Sequence, residues 1–346
     1  MPKFLVVIVL FLAITLVIFS FSELQDVVHT LQRANFAFVL MAFLAEAGWM
    51  LIMGAIFYSL YAVLGLKESR RRVTLLALAS TFLGVVTTSA AVGGLAMFIA
   101  DGRKRGHPIG KVTVAGALYL LLDYAAFFCI LALGTVVLIR RDSLGAMQIS
   151  GSLLLLALAI AMGSLLYLAY RSPIVLGNTL ARLARLINVV ARPFIRRQYL
   201  SEVRAHEFAA DVSSGLGSLP EKPRSLLRPL MFALTNKVLL LLILMFCFLA
   251  FDVPFSAGTI VGGLAITYLF MIVSPTPAGV GFVEGIMPVA LRSLGVDFSQ
   301  AVIITLAFRG TTFWLPLAVG AVAFRNLHVE MDRPAVTAAD PSRREV

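Results

Sequence analysis

Between Ser274 and Gly285 the chain reads Ser-Pro-Thr-Pro-Ala-Gly-Val-Gly-Phe-Val-Glu-Gly, inside otherwise apolar sequence running from Ile260 to Leu291. Two prolines, Pro275 and Pro277, and three glycines forbid a continuous helix through this stretch. Backbone that breaks at membrane depth must be buried in protein or line a wet cavity, because hydrocarbon cannot satisfy the freed N–H and C=O groups. The stretch therefore predicts the tip of a re-entrant element, with Ser274, Pro275, Thr276, Pro277, Gly279 and Gly281 forming the turn. Glu284 in its last part is the one acid between Asp252 and Asp297, and an ionisable group at that depth marks a functional site.

The membrane reading rests on the rest of the chain. Of its 346 residues 60% are hydrophobic and 14% charged, the mean hydropathy is +0.95, and apolar runs of about 20 residues recur. This describes an all-α polytopic membrane protein and excludes soluble classes. The net charge of +11 sits mainly in short polar loops, so nucleic acid is not a required partner. Cys129 and Cys247 fall within apolar runs and predict no disulfide framework. His29, His107, His206 and His328 show no metal-ligand spacing, so neither a metal nor a cofactor is expected.

Charge bias sets the topology. Lys3 followed by Phe4–Phe21 reads as a retained first span, since no cleavage site follows. The slightly acidic stretch 22–35 falls outside and the basic stretch 67–72 inside, with both termini cytoplasmic in the cell membrane. Residues 36–66 form the second span. If 73–100 simply crossed, the basic segment 101–111 would lie outside. A hairpin that returns to the cytoplasmic side removes this conflict, tipped by Thr87, Thr88, Ser89, Gly93 and Gly94. Each flank reaches about 20 Å at ~1.5 Å per residue, past the bilayer midplane. An ordinary span with a small-residue packing face is the alternative.

Residues 112–139 run outward, 151–170 return, 230–251 run outward, 258–291 form a second hairpin from the outside, and 299–324 run inward. The expected architecture is about six full spans plus two re-entrant hairpins, or about eight spans, built as an inverted repeat. One integral-membrane domain covers 1–325, with halves 1–170 and 226–325 joined by a cytoplasmic amphipathic segment, 171–225, and followed by a polar tail, 326–346. In the joining segment Arg182, Arg185, Arg192, Arg196 and Arg197 cluster on the polar side of a helix, which lies at the headgroups or serves as a solvated connector.

The Ser274–Gly285 stretch resembles the Pro-Gly-Gly-x-Gly-x-x-Glu signature of the lysylphosphatidylglycerol synthase transmembrane family, a flippase-like region found alone or fused to a synthetase. Ala307-Phe308-Arg309-Gly310-Thr311-Thr312-Phe313-Trp314-Leu315-Pro316 is similar to a second block of that family, and Ala91–Gly94 and Leu120–Tyr124 resemble weaker first-half motifs. Ala278 stands where glycine is usual, and the first tip lacks the expected proline. No segment has room for the synthetase domain. The resemblance implies lipid or lipid-linked transport without lipid synthesis.

Arg309, near the middle of the last span, offers a forked donor suited to phosphate or carboxylate, and its burial calls for a partner, either Glu284 or Asp123. These three, with Glu46 and Lys237, make a candidate path for a lipid headgroup; a structural pair that pins helices, and an interfacial place for Lys237, are the alternatives. The expected function is a non-enzymatic lipid translocase for an anionic or aminoacylated phospholipid or a polyprenol-linked lipid. The alternative is a membrane subunit that recruits or regulates a synthetase or glycosyltransferase. Homo-oligomers are compatible with both.

Overall fold

A computed structural model describes residues 34–86, 90–140, 223–274 and 276–332, with parts of 160–191 and 206–214. The described residues hold ten α-helices and no strand: α1 (Phe36–Val63), α2 (Arg70–Val86), α3 (Ala90–Lys104), α4 (Ile109–Arg140), α5 (Pro173–Ala191), α6 (Leu227–Ala250), α7 (Ala257–Val273), α8 (Phe282–Ser293), α9 (Phe298–Arg309) and α10 (Leu315–Asp332). Four helical stretches are long and apolar enough to cross a membrane: Phe36–Val63, Ile109–Val136, Arg224–Ala250 and Phe298–Leu327. The expected spans at Phe4–Phe21 and over most of 151–170 lie outside the described residues.

Local chemistry fixes the helix ends. Asn35 Oδ1 accepts from Ala37 N at 3.1 Å to cap α1, and Gly65, at φ 70°, closes its other end with Leu66 N donating to Tyr61 O. Ser256 and Thr259 form a reciprocal capping box at α7, and Asp297 caps α9. The last span is interrupted by a π turn, Gly310–Trp314. Pro316 explains its position: the residue has no N–H to offer the preceding turn. Thr311 and Thr312 hydroxyls donate to the carbonyls of Ala307 and Phe308 there.

Three bonds set the direction of the helices. Asn35 N donates to Ala250 O at 2.7 Å, so the start of α1 and the end of α6 share one end of the molecule. Lys111 Nζ donates to Leu64 O at 3.0 Å, so the end of α1 and the start of α4 share the other. Arg72, near the start of α2, pairs with Asp101, near the end of α3, at 2.5 Å. The α2–α3 hairpin therefore leaves and returns at the end that carries Lys67, Arg70, Arg71, Arg103, Lys104 and Arg105, here called the basic end. The α7–α8 hairpin enters from the opposite end. Gly263, early in α7, lies so close to Leu291 that a Cβ there would sit 2.7 Å from Leu291 Cδ2, late in α8. The two hairpins open at opposite ends, and α2 reaches the turn Pro277–Gly279 of the other hairpin.

The first tip needs correction. α3 begins at Ala90, so Gly93 and Gly94 are helical. Gly94 is a packing position instead, where a Cβ would meet Ser80 O at 3.4 Å. Small residues read as a turn serve close helix approach, as they do elsewhere in membrane helices. Thr87, Thr88 and Ser89 lie outside the described residues, as do Pro275, Arg192, Arg196 and Arg197.

The two halves correspond in residue register. α1 and α6 pack antiparallel on each other, α2 and α7 are each 17 residues long, and α4 corresponds to the α9–α10 pair. Gly134 of α4 approaches Ala265 of α7, and Gly320 of α10 approaches Leu78 of α2. Leu78 and Ala265 stand at the same position counted from Arg70 and Ala257, the first residues of their helices. Gly134 follows Asp123 by eleven residues, and Gly320 follows Arg309 by eleven. The glycine contacts of the two halves thus share one position, Leu78 in α2 and Ala265 in α7, which is compatible with an inverted repeat.

α5 carries exposed Arg182, and Arg185 is exposed as well; its Leu176 is buried with Ala209 and Val212 in the core at the basic end. That face of the helix is thus held on the protein.

Candidate functional site

The turn between α7 and α8 is built to face Arg309. Ser274 ends α7, its hydroxyl accepting from Thr276 N at 3.2 Å, and Gly279 N donates to Thr276 O at 3.1 Å. Ala278 adopts the left-handed conformation at φ 52°, with Gly279 at 71° and Gly281 at 79°. For alanine this costs about 1–2 kcal/mol. The conformation leaves the Ala278 carbonyl available to Arg309 Nη2, at 3.3 Å.

Glu284 joins the turn to the last span. One carboxylate oxygen accepts from Gly281 N at 2.8 Å and so caps α8; the other accepts from Arg309 Nε at 2.7 Å. The guanidinium also lies over the Phe313 ring, 4.5 Å from its centre, where the π turn places that ring. Arg309 is 5% exposed. An arginine at bilayer depth costs about 3 kcal/mol or more unless its charge is met, and here a carboxylate, a carbonyl and a ring meet it.

A second pair lies on α4 and α6. Lys237 Nζ stands 2.7 Å from Asp123 Oδ1 and donates to Tyr268 Oη at 3.2 Å, with the Tyr268 ring centre 4.4 Å away. Lys237 is 2% exposed, which corrects the interfacial reading of this residue. The neighbouring Asn236 donates to Trp49 O at 3.3 Å and ties α6 to α1. Of the two partners considered for Arg309, Glu284 takes the role and Asp123 serves Lys237.

Glu46 is hydrogen-bonded into neither pair, although its carboxyl is close enough to act electrostatically on Tyr268 of the second. It is fully buried on α1, and among the described residues neither carboxylate oxygen has a hydrogen-bond partner; the same holds for Trp49 Nε1, one turn on, and Thr267 Oγ1. Glu46 and Lys237 occupy the same position counted from the starts of α1 and α6.

The sequence reading missed Tyr268 and gave no site role to Asn236, or to Phe313 beyond its place in the second family block. A lone tyrosine in an apolar run and an asparagine beside a buried lysine were the available signals, and neither names its partner without the fold. It also missed the contacts at the basic end, where Glu68 is hydrogen-bonded to His107 at 2.9 Å and paired with Arg105 at 3.3 Å.

Paired hairpins from opposite ends, and a charged pair at the tip of one, are joined by a family match. Residues 4–320 match the family described as the lysylphosphatidylglycerol synthase TM region. The chain belongs to this family. Membership places it among multi-pass membrane proteins with a lipid-related role. The Glu284 and Arg309 blocks thus lie within the matched region of a lysylphosphatidylglycerol synthase TM chain. No curated protein matches the chain.

Proposed function

We propose that this chain is a membrane lipid translocase that moves an anionic or aminoacylated phospholipid, or a polyprenol-linked lipid, between leaflets without chemical conversion. The observation that carries the reading is the Arg309–Glu284 pair at the tip of a hairpin entering from one end, beside a hairpin entering from the other. Broken elements that meet in this way form the substrate sites of inverted-repeat transporters. A phosphodiester at the tip would meet a guanidinium fork and the N-terminus of α8, two features suited to an anion. Glu284 now fills both places.

Lys237, Asp123 and Glu46 extend the polar path away from the tip, and the tails of a lipid would stay in the surrounding bilayer. The chain is read as non-enzymatic, needing no cofactor, in the cell membrane with its basic end cytoplasmic. Its partners on this reading are the lipids themselves.

Leaflet exchange of fluorescent phospholipids with varied headgroups, in proteoliposomes of the native chain and of Arg309→Ala, tests this. Headgroup-dependent exchange that Arg309→Ala abolishes supports translocation. Absence of exchange with every lipid, from folded protein, moves the reading to a membrane subunit for a synthetase or glycosyltransferase.

A further inference from the structure

The repeat relates charged residues of opposite sign. Lys237 and Glu46 stand at the same count from the starts of their helices, and Asp123 and Arg309 each stand eleven residues before the matched glycine of their spans, the second interval containing the π turn. The Lys237–Asp123 pair therefore has a symmetric counterpart, Glu46 with Arg309, in which acid and base have changed places. One pair is made at 2.7 Å; in the other, Arg309 is bound to Glu284 and Glu46 has no hydrogen-bond partner among the described residues.

The packing departs from symmetry at the same place. α4 lies along α6, whereas α1 meets the α9–α10 pair chiefly at the π turn Gly310–Trp314. Arg309 sits at the boundary of that turn, a helix irregularity of the kind frequent at functional sites. A buried carboxyl with both oxygens unsatisfied is costly in one fixed structure. An arrangement that supplies its partner is favoured over this one by that cost.

We infer that Glu46 is a working residue of the transport path: in a second state of the protein Arg309 leaves Glu284 and pairs with Glu46, as α9 closes on α1. The inference rests on the translocase reading, for which it supplies the alternate state. Exchanging the conformations of two inverted repeats turns a site open toward one end into a site open toward the other. Movement of Arg309 from the α8 tip to α1 carries its positive charge across the path, and a bound phosphate would travel with it.

Spin labels at Leu44 on α1 and Leu306 on α9 report the state directly. Both are exposed, at 63% and 47%, and both leave Glu46 and Arg309 native. With Cys129 and Cys247 replaced by alanine, the labelled chain is expected to show two separations, the shorter one lost in Glu46→Gln and kept in Glu46→Asp. Leaflet exchange should fall about tenfold in Glu46→Gln and recover in Glu46→Asp, a coupling of the size two contacting residues show. A single separation, or two that Glu46→Gln leaves unchanged, overturns the inference. Two separations governed by Glu46 in a protein that exchanges no lipid would leave the alternate pair standing and remove the translocase reading.

Discussion

Arg72 and Asp101 lie 29 residues apart in sequence and pair directly, Asp101 with 3% of its side chain exposed, and this pair closes the mouth of the α2–α3 hairpin. It requires residues 67–72 and 101–111 to lie on one side of the membrane. Cysteines at Lys67 and Lys104 are expected to react with an impermeant reagent from the same side, and a cysteine at Asp252 from the other. Labelling of Lys67 and Lys104 from opposite faces would remove the hairpin.

Loss of Glu284 should harm the fold more than loss of Arg309. Glu284→Ala leaves a buried guanidinium without its carboxylate, a change of about 3–5 kcal/mol. Arg309→Ala leaves a carboxylate whose side chain is 30% exposed and which still accepts from Gly281 N. Thermal unfolding in detergent should rank native, Arg309→Ala and Glu284→Ala in order of falling Tm.

Ala278 and Gly281 offer opposite substitutions in one turn. Ala278→Gly relieves a left-handed alanine and should stabilise by about 1 kcal/mol, whereas Gly281→Ala places a side chain at φ 79° and ψ −32°, outside the left-handed region open to L-residues, and should destabilise by about 2 kcal/mol or more. Among the described residues nothing lies within 4 Å of a Cβ at Gly281, so backbone conformation decides that result. Equal Tm values for both variants would show that the turn is not held in this form.

The matched glycines should respond alike. Gly134→Val and Gly320→Val force side chains into contacts where even a Cβ would lie 2.5 Å from Ala265 Cβ and 2.6 Å from Leu78 O, and each should cost about 1–3 kcal/mol. Gly285→Ala meets open space and serves as the control, expected to leave Tm unchanged or slightly raised. A tolerated valine at either glycine would contradict the paired packing.

Structural and functional roles of the second pair separate in a double variant. Lys237→Met alone leaves Asp123 unpaired and should lower Tm, while Lys237→Met with Asp123→Leu should restore much of it, because an apolar pair can replace a buried ion pair. Leaflet exchange should stay low in both. Recovery of exchange together with Tm would assign the pair to helix pinning.

What was legible in the sequence follows from which forces are local. Proline and glycine at 275–281 break a helix wherever they stand, and basic residues at 67–72 and 101–111 bias topology one loop at a time. Both hairpins could therefore be read in advance. Gly93 and Gly94 could not, because a glycine at a turn and a glycine at a helix contact look alike until Ser80 is seen beside them. Arg309 plainly needed an acid, but whether Glu284 or Asp123 supplied it depended on which helices adjoin. The register between the halves was equally hidden, since inverted packing equates positions whose residue types differ, such as Glu46 and Lys237.

Glu284 uses its two oxygens for separate tasks, one holding the first turn of α8 and the other holding Arg309. The helix cap and the buried cation are thus latched by one group. An anion that displaces this carboxylate would undo both fastenings in a single step, freeing the arginine and leaving open helix amides to receive the newcomer. Cargo and key would then be the same molecule, its arrival favouring the state in which the arginine has left the tip.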